Sequence, residues 1–197
     1  MVRGKLIAFE GVDGTGKSTQ VGLLKHYLEE QGREVVTSFE PTHGEWGRRV
    51  RAAAASGQRL EVHKEVEYLL RDRREHVRQV ILPALTEGKW VLLDRYYPSM
   101  MAYQGATGED VEEIRRLNET FAPVPDMAIW LDIPVQEALK RAQNRGRERD
   151  AFEQVNFLQA VACIYAAMDM PWWRRIPAGG GVMETQALIR REIVTCL

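Results

Sequence analysis

The chain has 197 residues, 45% hydrophobic and 28% charged, a balance that excludes disordered and fibrous classes and fits one domain with a sizeable core. A formal net charge of -1 gives no overall basic field for nucleic acid, and no apolar run is long enough to span a bilayer. Cys163 and Cys196 have neither metal-ligand nor redox spacing and read as unpaired thiols of a reducing compartment. With Met1 leading almost directly into a strand, a cytoplasmic protein without nucleic-acid or membrane partners is expected.

Taken in chain order, KLIAFE (Lys5 to Glu10) reads as a buried strand that runs into GVDGTGKST. From Gly11 through Val12, Asp13, Gly14, Thr15, Gly16 and Lys17 to Ser18 the stretch satisfies G-x-x-x-x-G-K-[ST], with a strand before it and the helical pattern VGLLKHYLEE after it. Glycines let the backbone curl so that its N–H groups point at phosphate oxygens beside a positive helix end. Lys17 would reach the outer phosphates and Ser18 would offer its hydroxyl to Mg2+, so a nucleoside triphosphate site is expected over Gly11 to Thr19. Asp13 stands among these amides, where phosphate would repel it. It faces a sugar hydroxyl or a metal-bound water, or it is an exposed turn aspartate. The loop holds no arginine, so any cation that neutralises a transferring group comes from another segment.

EVVTSF (Glu34 to Phe39) reads as a second strand, and VEYLLRDRREHVRQVILPAL as a long helix whose period Pro83 breaks and which Gly88 closes. WVLLDR (Trp90 to Arg95) and MAIWLDI (Met127 to Ile133) are the third and fourth strands, with Pro134 at the start of the next helix. A fifth strand is expected around Trp173 to Ile176. Strands alternating with helices imply an α/β fold with a parallel sheet covered on both faces and ligands outside its carboxyl ends. Asp94 and Arg95 end one such strand. Asp94 would hold Mg2+ through water and Arg95 would clamp a phosphate with its bidentate fork, unless the two form a structural ion pair.

The phosphate loop, the strand-terminal DRY, Ser99 and AYQG (Ala102 to Gly105) together resemble the thymidylate kinase family of nucleoside monophosphate kinases. LLRDRREHVRQVILPALTEGKWVLLDRY and PDMAIWLDIPVQEALKRAQNRGRERDAFE carry the likeness over most of the chain, and it fades after about Pro171. The resemblance implies a single three-layer P-loop NTPase domain over 1–197, with a five-stranded parallel sheet and an arginine-rich lid near 144–153. It also implies transfer of the ATP γ-phosphoryl group to dTMP for dTTP synthesis, and a homodimer built by helices. By the same resemblance Arg73 and Arg95 grip the acceptor monophosphate, Tyr103 lies against the deoxyribose, Gln104 contacts the base, and Asp13 meets the 3'-hydroxyl. Pro41, Leu69, Ser99 and Met100 complete the implied dTMP pocket. Read alone, Arg73 would be a solvated helix face, and Tyr103 and Gln104 helix-surface packing.

NRGRERD (Asn144 to Asp150) places Arg145, Arg147 and Arg149 around Gly146 in a loop between two helices. A lid of this kind excludes water and brings guanidinium to the transferring group. Arg147 and Arg149 therefore join Lys17 and Arg95 as catalytic candidates, Arg145 is assigned to ATP, and Glu153 matches an acid near the lid of relatives. Many bacterial relatives end the second strand R-E-P-G-G-T, whereas this chain reads SFEPTHGEWGRR. Leu69 stands where relatives often stack a phenylalanine on thymine, and Met100 where a polar residue commonly touches the base. Phe39 reads as core packing or as a substitute stacking surface. Kinase chemistry therefore follows more firmly than thymine selectivity, because hydrogen bonds carry most discrimination between bases. The rival readings are a kinase for another deoxynucleotide or a deoxynucleoside, and a nucleotide-binding regulator without turnover.

Overall fold

A computed structural model describes residues 3–56, 60–143 and 151–196, apart from the side chains of 143 and 151–154. Five strands form one parallel sheet in the order β2-β3-β1-β4-β5: β1 Leu6–Glu10, β2 Val35–Phe39, β3 Trp90–Asp94, β4 Met127–Asp132 and β5 Trp173–Pro177. The five strands expected from the sequence are all present. β1 is central and wholly buried, which is why LIAFE reads as a continuous rather than an alternating apolar run. The outer strand β5 carries Arg174 and Arg175, charges that discourage pairing along an open edge.

Helices α1 (Lys17–Glu30) and α9 (Val182–Ile193) pack together, α1 also lying over β2 and β3. Elsewhere α2 (Glu45–Ser56) packs on α3 (Val62–His76), and α5 (Tyr97–Gly105) is enclosed by α3, α6 (Val111–Glu119) and α8 (Ala151–Ala167). That enclosure explains why YPSMMAYQG shows no polar face. α8 follows α7 (Val135–Gln143) and anchors itself in the core through Tyr165, whose ring packs nearly parallel to both Trp130 of β4 and Trp173 of β5, with centroids 5.9 and 5.8 Å away.

The long central helix continues past Pro83 instead of breaking there. α3 passes into a π-helical turn over Val77–Ile81 and then into α4 (Leu82–Thr86), which contains Pro83. A widened turn accommodates a ring that would otherwise meet the carbonyl four residues back. Gly88 then closes the helix at φ +81, as expected.

β1 and β3 run in register, Phe9 opposite Asp94, and Arg95 N donates to Phe9 O at 2.9 Å. The phosphate loop after β1 and the DRY turn after β3 therefore leave the sheet side by side, next to the point where the strand order changes direction.

Candidate active site

The loop after β1 curls through left-handed conformations at Gly14 (φ +93) and Gly16 (φ +95), the latter capping α1. A Cβ at Gly14 would stand 2.0 Å from the Ala138 carbonyl of α7, so two constraints select glycine there. Lys17 is 6% exposed, and its ammonium donates to the Gly11 and Val12 carbonyls at 3.0 Å each. Burial, with Arg95 nearby, pulls that ammonium down to about 8. A cation held at a cost in this way gains from an arriving anion. Thr15 closes the turn by donating to Val12 O at 3.0 Å.

Ser18 Oγ donates to Asp94 Oδ2 at 2.5 Å, so the two proposed metal donors meet at the mouth of the loop. A hydroxyl and one carboxylate suit Mg2+, which keeps several waters and takes phosphate oxygens rather than a full protein cage. Among the described residues no group of three or more His, Cys, Asp or Glu offers such a cage.

Arg95 holds φ +73, the one left-handed non-glycine among the described residues. Its Nη2 donates to Asp13 Oδ1 at 2.8 Å and to the Tyr103 hydroxyl at 3.2 Å, and its Nη1 donates to Ser99 Oγ at 2.9 Å. The guanidinium thus reaches across to the phosphate loop. Asp13, 60% exposed, is its partner there and also lies 3.9 Å from Lys17 Nζ. The acid that the sequence left between sugar, water and solvent joins the loop to the arginine.

Beneath this pair lies Glu10, fully buried at the end of β1 and absent from the sequence-derived site. Its Oε1 accepts from Tyr96 N at 2.9 Å, and its Oε2 accepts from Ser99 Oγ at 2.5 Å. The Tyr165 hydroxyl lies 3.0 Å from Ser99 Oγ and 3.4 Å from the same carboxylate oxygen. Burial pushes Glu10 up to about 7, against the Ser99 hydrogen bond and the charge of Arg95. The signal was in the sequence: an acid closing an otherwise apolar strand.

Arg73 is 2% exposed and no solvated face. Its Nε and Nη2 each lie 2.7 Å from Glu40 Oε2, and its Nη1 donates to Asn118 Oδ1 at 2.5 Å and to Met100 Sδ at 3.4 Å. Burial opposes the charge on Glu40, but Arg73 and a hydrogen bond from His76 outweigh it and hold the carboxyl below its ordinary value. Every guanidinium nitrogen of Arg73 has a protein partner, and both terminal nitrogens of Arg95 are engaged as well, one of them by Asp13 of the loop. Glu40, His76 and Asn118 were not singled out from sequence, because their partners are distant along the chain.

Tyr103 and Gln104 are likewise more than surface packing. Tyr103 lies under the Arg95 guanidinium, 5.0 Å from ring centroid to Cζ, and edge-on to Phe157 of α8. Gln104 is 5% exposed, and its Oε1 has no hydrogen-bond partner among the described residues. Leu69 packs half-buried on the core, Met100 is buried, and Pro41 follows a cis peptide bond at the end of β2. Phe39 does not enter the core. It is 38% exposed, edge-on to His43 with Arg51 over its ring. Arg145, Arg147, Arg149 and the side chain of Glu153 lie outside the described residues.

The family model of thymidylate kinase matches residues 9–189. The chain belongs to the thymidylate kinase family. Proteins named thymidylate kinase are similar over nearly the whole chain. One from Akkermansia muciniphila is 58% identical over 191 residues, covering 97% of this chain and 92% of the relative. One from Desulfotalea psychrophila is 47% identical over 191 residues, covering 96% and 94%. One from Xanthomonas campestris pv. campestris is 48% identical over 168 residues, covering 85% and 73%. Membership in the thymidylate kinase family accounts for the five-stranded parallel sheet and implies nucleotide kinase chemistry. Among the described residues no helix is long and apolar enough to cross a membrane.

Proposed function

We propose that this chain phosphorylates dTMP to dTDP with ATP and Mg2+, as a cytoplasmic homodimer serving dTTP synthesis. The observation that carries the reading is the 2.8 Å contact between Arg95 and Asp13. It brings an acceptor-side cation to the rim of the donor-side loop, beside which two phosphate groups would meet end to end. Lys17 and the loop amides hold the donor phosphates, and Arg95 orients the acceptor phosphate. Ser18 and Asp94 would hold Mg2+, which would supply charge neutralisation to the donor phosphates. Arg147 and Arg149 of the lid supply further positive charge, and Arg145 contacts ATP. An ionised monophosphate needs no general base, so the site works without a histidine at its centre.

For the acceptor, Arg95 carries the phosphate and Tyr103 the deoxyribose. Arg73, held by Glu40 and Asn118 beside Met100, is the second cation toward the acceptor phosphate. Asp13 takes the 3'-hydroxyl on exchange of its arginine contact. Leu69, Met100 and Pro41 supply apolar walls, and Ser99 supports Arg95. The unpartnered Gln104 carbonyl favours a base that offers an N–H, as thymine does at N3 where cytosine has a bare acceptor. The test is ADP release with dTMP, dUMP, dCMP, dGMP and thymidine as acceptors. The highest kcat/KM is expected for dTMP, with no turnover of thymidine. Preference for thymidine or for a purine monophosphate would overturn the reading.

A further inference from the structure

We infer that Glu10 is a positioning residue that fixes Arg95 for the acceptor phosphate, acting through Ser99 and the Tyr96 amide. The inference rests on the reading of Arg95 as the acceptor-phosphate grip and deepens it.

The geometry has two parts. At φ +73 the Arg95 backbone stands in a conformation that is strained for an L-residue, so neighbouring structure has to hold it. Arg95 N is held by Phe9 O at 2.9 Å, and the next amide, Tyr96 N, is held by Glu10 Oε1 at the same distance. Both restraints come from the last residues of β1. The second part concerns the side chain. A serine hydroxyl has one proton, and the Ser99 proton goes to Glu10 Oε2 at 2.5 Å. That leaves a lone pair of Ser99 Oγ facing Arg95 Nη1, 2.9 Å away. The carboxylate thereby makes Ser99 an acceptor toward the arginine. Tyr165 lies within 3.4 Å of the same Glu10 oxygen, which links the helix following the lid to this relay.

No part of Glu10 is exposed, so it meets neither solvent nor phosphate. Burying a carboxylate is costly unless its bonds are well made, and here they converge on one turn. Purely as packing, an apolar residue would serve this strand better.

The experiment compares Glu10→Gln, Ser99→Ala and the double variant with wild type, each first shown folded by its melting curve. In Glu10→Gln, the amide oxygen stays with Tyr96 N, so the amide nitrogen becomes a donor toward Ser99 and competes with Arg95. Steady-state kinetics give KM for dTMP and for ATP, and inhibition gives Ki for thymidine, which lacks the phosphate. Each single variant is expected to raise KM for dTMP roughly tenfold, the loss of one bond to a charged group. KM for ATP and Ki for thymidine should stay within about twofold. The double variant should be no worse than the weaker single, because both act through one bond. Equal losses for dTMP and thymidine, or additive losses in the double variant, would overturn the inference and leave Glu10 a structural residue. If Glu10→Gln does not fold, Ser99→Ala decides alone on the dTMP-to-thymidine contrast. Arg95→Ala separates the two readings. If it leaves dTMP binding unchanged, the grip itself is misassigned. If it weakens dTMP while Glu10→Gln and Ser99→Ala do not, only the relay fails.

Discussion

At Arg95 one side chain serves three acceptors, Asp13, Ser99 and Tyr103, from two nitrogens of a rigid fork. A lysine would keep the charge, but its single ammonium cannot span partners on the loop and on α5 together. Arg95→Lys is therefore expected to lower kcat/KM for dTMP at least tenfold while KM for ATP stays within about twofold. An unchanged kcat/KM would show that charge alone suffices. Glu10 poses a different question, because its neighbours oppose one another. Burial raises it, whereas Ser99, Arg95, the Tyr96 amide and Lys17 lower it, and the Tyr165 hydroxyl also touches it. Its folded value of about 7 lies above the ordinary 4.5, so folding favours the neutral form. The stability this group contributes is complete below about 4.5 and is lost as pH rises through about 7. Glu10→Gln stays neutral throughout. The Tm of the variant minus that of wild type should therefore rise across that window and level off above it. Thermal melts at a series of pH values check this, and a flat difference would mean that Glu10 titrates as it does in water.

The two glycines of the phosphate loop show how an element is specified by more than its own backbone. Gly14 and Gly16 share a left-handed φ, yet a Cβ at Gly16 meets nothing within 4 Å, whereas at Gly14 it strikes the α7 carbonyl of Ala138. Gly16→Ala should cost about 1–2 kcal/mol of stability, the conformational penalty alone. Gly14→Ala should cost more and remove activity, because the loop has to leave α7. Denaturant titration compares them, and equal losses would mean that φ alone dictates Gly14. This loop was legible in the sequence because its requirements are local: φ values, a lysine and a hydroxyl at fixed offsets. The strands were legible for the same reason, as short apolar runs bounded by turns. What escaped was paired over distance. Ser99 meets Glu10 across 89 residues, Tyr165 meets Ser99 across 66, and Arg73 meets Glu40 across 33. A helix period places Arg73 on a face but does not say what covers that face. Phe39 failed in the opposite sense, an aromatic at a strand end that reads as core yet sits on the half-exposed outer strand β2.

For the molecule as a whole, the crevice gathers residues from five segments of the described chain: Glu10 from β1, Lys17 from α1, Arg95 from the turn after β3, Ser99 and Tyr103 from α5, and Tyr165 from α8. The central strand β1 pairs with both β3 and β4, and the Tyr165 ring packs against aromatic rings of both β4 and β5. No part of the site can therefore be stabilised without the sheet that carries it. A ligand present at about a hundredfold its Kd stabilises the native state by about 2.7 kcal/mol. In a chain of this size each kcal/mol moves Tm by about 2–4 °C, so dTMP should raise Tm by about 5–11 °C. The five tryptophans report on the fold from both sides of the sheet order, Trp90 in β3 and Trp130 and Trp173 in β4 and β5 among them. Their fluorescence and the helical circular dichroism should follow one coincident transition, displaced as a unit by dTMP. If part of the transition stayed in place while the rest moved, the chain would hold a region that folds independently of the crevice, and the coupling between the arginine turn and the distant helix α8 would be local rather than global.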